Sequence, residues 1–142
     1  DIIFNKGGIK IGVFGIGVEV KGLVPGRLYG ETVWNNPIDV ANDCAKELKQ
    51  KGCDLIICLS HLGYEYASNK ISDLELAAKT KDIHLIIGGH THTFLPEPTQ
   101  VKNLNGETVL INQVGWAGIN LGRIDIEIDS KAFAKNDVIE VK

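Results

Sequence analysis

Residues 81–95 read KDIHLIIGGHTHTFL, and the rest of the chain is organised around this stretch. Its centre is the aliphatic run Leu85–Ile87, which is followed at once by two glycines. A short aliphatic run with these boundaries is typical of a strand that is buried on both faces. The glycines, residues 88–89, allow the backbone to turn sharply and other groups to come close. The sequence therefore predicts a buried strand that runs into His90 and His92.

The two histidines lie just beyond the carboxyl end of this strand, which is the end at which open α/β sheets bind ligands. Because His90 and His92 are two positions apart, they point to the same side if the chain is extended there. Two imidazoles that converge on one point are typical of a metal site. The stretch therefore predicts metal binding at the carboxyl edge of the sheet.

Two strand-and-helix units precede the strand and predict a βαβαβ core. The pair Asn36 and Pro37 indicates the start of a helix, in which apolar residues repeat every three or four positions. Residues 54–60 form a second apolar strand, and Ser72 is predicted to cap a short helix over residues 73–79. Short connections between such units favour parallel strands with right-handed crossovers.

A third histidine, His61, follows the carboxyl end of the second strand, in the sequence SHLGY. Since parallel strands end at the same edge of a sheet, we expect His61 to lie near His90 and His92. His84 provides a contrast, because a strand rises about 3.3 Å per residue and His84 therefore lies about 20 Å before His90. We expect a structural role for His84.

The remaining segments predict strands and loops around this core within a single domain, residues 1–142. The strands after Pro98 are expected to be antiparallel, with Asn105 and Gly106 in a hairpin turn. The glycines at positions 12, 15 and 17 have no helix after them, which argues against a dinucleotide-binding loop. The predicted elements are a hairpin over residues 2–15, a loop over 19–36, a hairpin over 101–112, a strand over 121–129 and an edge strand over 138–141.

The composition argues against several classes of partner. A net charge of −3 is not typical of a protein that binds nucleic acid or an anionic membrane surface. No apolar run approaches the roughly 20 residues that a membrane-spanning helix needs. The three cysteines follow no zinc-binding spacing. We therefore expect neither a nucleic-acid partner nor a membrane span.

Three motifs resemble the calcineurin-like metallophosphoesterases, specifically their 5′-nucleotidase branch. They are LIICLSHLGY, HLIIGGHTHTFL and INQVGWAGINLGRIDI. The resemblance implies an α/β fold in which the chain is half of an αββα sandwich, with the βαβαβ core followed by antiparallel strands. It also implies two divalent metals, such as Zn, Mn or Mg, that activate a water to attack a phosphate ester. By resemblance, His61 and His90 bind one metal and His92 binds the other.

The chain departs from the family pattern in its first half. The family carries an Asp-x-His pair, a bridging Asp and an Asn-His-Asp/Glu element there, and neither motif precedes His61 in this sequence. The Asp-x-His at Asp82–His84 lies before the strand, away from the edge at which His90 is expected. The chain begins with Asp1 and contains no methionine, and we expect it to be the carboxyl portion of a catalytic domain. The resemblance then implies that the amino-terminal half is a missing partner and that no catalytic residue lies in this portion. The isolated chain is predicted to be inactive and to bind at most one metal ion weakly.

The resemblance suggests a 5′-nucleotidase that converts a nucleoside monophosphate to a nucleoside and phosphate, in an extracytoplasmic location. The alternatives are a cyclic phosphodiesterase or UDP-sugar hydrolase of the same superfamily, or a non-catalytic metal-binding or structural domain. The substrate-binding residues are not identified by the sequence. Four aromatic residues are candidates for lining a pocket, although packing is the commoner role of such residues: Trp34, Tyr64, Tyr66 and Trp116.

Overall fold

A computed structural model describes residues 1–129 and 132–139 of the chain. It contains eight strands and three helices in the described residues. In chain order they are β1 (Ile2–Lys6), β2 (Ile9–Ile16), α1 (Gly26–Tyr29), α2 (Pro37–Gln50), β3 (Leu55–Ser60), α3 (Asp73–Lys79), β4 (Leu85–Ile87), β5 (Thr99–Lys102), β6 (Thr108–Asn112), β7 (Leu121–Asp129) and β8 (Ala132–Ile139).

The main sheet has six strands in the order β1-β2-β3-β4-β6-β5. Strands β2, β3 and β4 are parallel neighbours joined by α2 and α3, so the predicted α/β class and βαβαβ core are confirmed. Strands β1 and β5 pair antiparallel at the two edges, and β7 pairs with β8 in a separate two-stranded sheet. This mixed sheet places the carboxyl ends of its central strands along one edge.

Three details of the prediction were wrong or incomplete. The strands after Pro98 were expected to be antiparallel, and β6 does pair antiparallel with β5. On its other side β6 lies beside β4 and pairs parallel with it, because β5 occupies the edge of the sheet. The predicted loop over residues 19–36 contains the short helix α1. The edge strand predicted over 138–141 corresponds to the end of the longer β8, and residues 140–141 lie outside the described part of the chain.

The hydrophobic core lies between one face of the sheet and the helices α2 and α3. Both helices begin where predicted, because the side chain of Asn36 accepts a hydrogen bond from the amide of Ile38 (2.9 Å) and Ser72 accepts one from Glu75 (3.3 Å). The fully buried contributors include Ala41, Ala45, Leu48, Ile56, Cys58, Leu76, Ala77, Ile86 and Ile111. Among the helices of the described residues, none has the length and apolar character needed to cross a membrane.

Gly12 has a packing role in this core. A Cβ atom at position 12 would lie 2.9 Å from a methyl carbon of Leu48 in α2 and 3.0 Å from the sulfur of Cys53. Because a close-packed interior tolerates extra volume poorly, a larger residue would push α2 away from the sheet. The glycine thus permits the close approach of helix and strand.

We expect the substitution Gly12→Ala to lower the free energy of unfolding by about 1–3 kcal/mol, the usual cost of an overpacked core. Gly15→Ala in the same strand is the matched control, since its Cβ would have only an ordinary contact of 3.8 Å with the carbonyl of Leu59. The measurement is denaturant unfolding of both variants. Equal stability of the two variants would contradict this account of Gly12.

Candidate metal site

The carboxyl ends of the four parallel strands form one continuous edge of the sheet. Ile16 pairs with Ser60 and Ile87 with Asn112, so β2, β3, β4 and β6 all end at this level. The hydrogen bonding continues one residue further, because the His61 amide donates to the carbonyl of Ile16 over 2.8 Å. The segments that follow these strands therefore begin at this edge, and they include all three candidate histidines.

His61 and His90 are direct neighbours at this edge. Their ring centroids are 5.1 Å apart and the rings meet edge to face at 71°. Gly89 makes the close approach possible, since a Cβ atom there would lie 3.1 Å from Nδ1 of His61. The structure thus brings together two imidazoles that follow two different strands.

His92 is oriented by a different contact. Its ring stacks on that of Trp116, with centroids 6.2 Å apart and an interplanar angle of 14°. The prediction that the chain is extended here was wrong, because His90 and His92 have φ angles of 72° and 54°. The alternation of side chains along an extended strand therefore does not apply here, and each of the two rings has an aromatic neighbour of its own, His61 for His90 and Trp116 for His92.

The donor set fits a metal ion only in part. Two imidazole nitrogens suit zinc and other borderline metals, but such ions usually take four or more ligands. No group of three or more His, Cys, Asp or Glu side chains within the described residues is arranged to hold a metal ion. His61 and His90 are thus a candidate pair of ligands, which is fewer than such a metal usually takes.

The electrostatic surroundings favour the neutral form of His90. Burial lowers the pKa of His90, and the neighbouring charges of His61, Lys70 and His92 lower it further. A neutral imidazole is the form that binds a metal. The arrangement therefore keeps His90 ready for ligation at neutral pH.

His84 lies at the other end of β4, as its position in the sequence suggests. Its Nδ1 atom accepts a hydrogen bond from the backbone amide of Ile56 (2.9 Å), and burial lowers the pKa of its imidazole. The structure does not bring it to the edge that carries His61 and His90. Its contact joins the strands β3 and β4 and is structural.

A buried carboxyl group lies against Gly88, at the start of the segment that carries His90 and His92. Asp73, the first residue of α3, is fully buried and accepts a hydrogen bond from the hydroxyl of Ser60. Burial raises its pKa to about 6, an effect that the Ser60 hydrogen bond opposes. A Cβ atom at Gly88 would lie 2.4 Å from Oδ2 of Asp73, so this position also needs a glycine. The sequence shows the carboxylate near His61 but does not show that it is buried.

A cavity of about 500 Å³ opens beside His90. One wall comes from the loop before α2 and includes Lys21 and Trp34, and the other includes Tyr66 and Lys70. Two of the four aromatic candidates therefore line it. The other two do not, because Tyr64 packs against the core with its hydroxyl 2.8 Å from Thr99, and Trp116 stacks on His92.

Comparison with known proteins yields several relatives, although no protein-family model matches the chain. A trifunctional nucleotide phosphoesterase of Bacillus subtilis is 35% identical over 139 residues, which cover 96% of this chain and 9% of the relative. The crystal structure of a 5′-nucleotidase precursor from Thermus thermophilus matches with a TM-score of 0.80 and 28% identity. This match covers 98% of this chain and 29% of the solved chain.

The NAD nucleotidase of Haemophilus influenzae matches with a TM-score of 0.75 and 27% identity, again over 98% of this chain and 29% of the solved one. The chain therefore spans less than a third of the length of each of these three relatives. The likeness extends over nearly all of its residues in both sequence and fold. The resemblance predicted from the motifs is confirmed, and the chain is homologous to a segment of the calcineurin-like phosphoesterases and 5′-nucleotidases.

Proposed function

We propose that residues 1–142 form the carboxyl portion of one catalytic domain in a dinuclear metal-dependent phosphoester hydrolase, a 5′-nucleotidase acting on nucleoside monophosphates. The observation that carries the proposal is the pair of His61 and His90, whose rings lie 5.1 Å apart at the edge of the sheet where α/β folds bind ligands. The homologous proteins are named as nucleotide phosphoesterases and nucleotidases, which agrees with this chemistry.

The proposed metal ligands follow from the family resemblance. By that resemblance, His61 and His90 would ligate one divalent metal and His92 the other. When bound, two such metals activate a water and stabilise the charge of the transferring phosphoryl group. The cavity beside His90 would receive the phosphoester, and Lys70 on its wall provides a cation for the phosphate. Because its pKa is lowered, the His90 ring favours the neutral form, in which one nitrogen has a lone pair available for a metal.

An exposed part of the sheet supports the proposal that further structure completes this site. On the face opposite α2 and α3, Leu59 and Ile87 are neighbours in register and are 48% and 43% exposed. Aliphatic side chains adjacent on a sheet are normally covered, and these two directly precede the histidine-bearing segments. We propose that the amino-terminal half of the catalytic domain packs here and supplies the remaining metal ligands and the catalytic residues.

We also propose an extracytoplasmic location for the whole protein. The support is the homologous Thermus thermophilus protein, which is named as a precursor. Nothing in the described residues encodes the location itself. Fractionation of cells that express the full-length protein, followed by immunodetection, tests this part of the proposal.

The activity proposal predicts that the full-length protein releases phosphate from nucleoside monophosphates when divalent metal is present. The isolated 142-residue chain should release none, because it contains an incomplete set of metal ligands. The measurement is phosphate release with each protein in the presence of Zn²⁺, Mn²⁺ or Mg²⁺. Cyclic nucleotides and UDP-sugars serve as comparison substrates, and their nucleotide products are quantified by chromatography because their hydrolysis releases no free phosphate. Preference for either would replace the 5′-nucleotidase assignment by that activity.

Adding back the amino-terminal half as a separate chain provides the control for folding. Recovery of hydrolysis on mixing would show that the isolated chain is competent but incomplete. Metal-dependent turnover by the isolated chain would contradict the proposal that its active site lacks essential groups. Absence of any hydrolysis by the full-length protein would favour a non-catalytic domain.

A further inference from the structure

The segment 89–93 that carries the histidines has an uncommon backbone. His90 lies at the centre of a three-residue turn in which the Thr91 amide donates to the carbonyl of Gly89 over 2.9 Å. With a φ of 72° at His90, this turn has the φ of the rarer and more strained of the two γ-turn forms. His92 also has a left-handed φ of 54°. Such strain persists only where surrounding contacts hold it.

One buried side chain makes those contacts. Gln113 directly follows β6 and is 2% exposed. Its Nε2 atom donates to the carbonyl of Gly89 (2.9 Å), and its Oε1 atom accepts from the amide of Thr93 and from the hydroxyl of Thr91 (3.1 Å). A single carboxamide thus joins both ends and the middle of the strained segment.

The same network reaches the loop that carries His61. The hydroxyl of Thr91 accepts a hydrogen bond from the backbone amide of Tyr64 over 2.9 Å. Tyr64 is three residues beyond His61, so the Gln113 carboxamide is linked through Thr91 both to the loop that carries His61 and to the segment that carries His90. The relative position of the His61 and His90 rings therefore depends on this chain of hydrogen bonds.

We propose that Gln113 is a positioning residue that holds the strained turn in which His90 faces His61. Its importance for metal binding rests on the proposed function, whereas its effect on the turn does not. The role requires an amide, because one terminal atom must donate to a carbonyl while the other accepts from an N–H group. Neither a carboxylate nor an apolar side chain can do both.

The test uses Gln113→Met in the full-length protein, with Asn103→Ala as the matched control. Asn103 is also buried, lies at the other end of the same hairpin and makes three side-chain hydrogen bonds of its own, with Asn105 and Glu107. Hydrogen exchange measured by mass spectrometry on the peptide 88–95 reports on the turn without requiring activity. We expect about tenfold faster exchange in this peptide for Gln113→Met, the equivalent of about one lost hydrogen bond, and no change for Asn103→Ala.

Zinc affinity, measured by competition with a chromophoric chelator, is the second readout. Loss of a group that orients ligands typically weakens metal binding about 10- to 100-fold, and we expect this for Gln113→Met but not for Asn103→Ala. Gln113→Glu retains the acceptor for Thr93 but sets an acceptor against the carbonyl of Gly89, so a loss of similar size is expected. This variant carries the test if Gln113→Met does not fold.

The outcomes separate the two proposals. Faster exchange in the peptide 88–95 without zinc binding by the wild-type protein would support the positioning role and refute the metal site. Unchanged exchange in both Gln113 variants would overturn the positioning role even if the protein hydrolyses nucleotides. Equal losses of zinc affinity in Gln113→Met and Asn103→Ala would likewise overturn it, since a general loss of stability would then explain both.

Discussion

Replacing His90 with alanine in the full-length protein is expected to reduce phosphate release from nucleoside monophosphates by more than about 100-fold. Removal of groups that merely orient metal ligands already costs about 10- to 100-fold, and loss of a ligand itself should exceed this. The proposed ligand role of His90 is supported by its ring, which lies 5.1 Å from that of His61 and borders the cavity. Steady-state kinetics and the metal content of the purified variant provide the measurement.

His84→Ala is the control for this experiment. His84 lies at the opposite end of β4 and accepts a hydrogen bond from the backbone amide of Ile56. Loss of this hydrogen bond should lower thermal stability. The kcat should remain nearly unchanged at a temperature where the variant is folded. His61→Ala should behave like His90→Ala. A similar loss of kcat in the His84 and His90 variants would mean that the histidine pair has no special part in the reaction.

Local sequence signals were sufficient to predict the core of this fold. The pair Asn36 and Pro37 and the residue Ser72 begin their helices as expected, because a capping side chain acts within three residues of its own position. The apolar runs of β3 and β4 then predict parallel strands, and the alignment of strand ends follows from topology. The neighbourhood of His61 and His90 could be predicted for this reason.

The details of the site depend on contacts between distant segments, which local patterns do not contain. The left-handed backbone at His90 is held by Gln113, a residue 23 positions later in the sequence. A polar residue directly after a strand of the same sheet edge is a usable signal for Gln113, since strand ends converge there. The stacking of His92 on Trp116 has no comparable signal. The parallel pairing of β6 with β4 also depends on the whole sheet.

Asp73 illustrates the same limit and leads to a prediction about stability. Its side chain is fully buried, and its Oδ2 atom has no hydrogen-bond partner within the described residues. Burial raises its pKa from 3.8 to about 6 in the folded state. Between about pH 4 and pH 6 the folded chain therefore binds more protons at Asp73 than the unfolded chain, so its contribution to stability falls as pH rises. A shift of about two units at about 1.4 kcal/mol per unit corresponds to a loss on the order of 3 kcal/mol.

We expect Asp73→Asn to remove this pH dependence, because an asparagine still accepts the Ser60 hydroxyl but does not titrate. The measurement is the free energy of unfolding of both proteins at intervals from about pH 4 to about pH 7. Other titrating groups, such as Glu47 and Glu107 with their lowered pKa values, are common to both proteins and cancel in the difference. The wild-type protein should lose about 3 kcal/mol relative to the variant as the pH rises. If the difference in unfolding free energy between the two proteins stays constant across this range, burial does not raise the pKa of Asp73 and this account of the carboxylate is wrong.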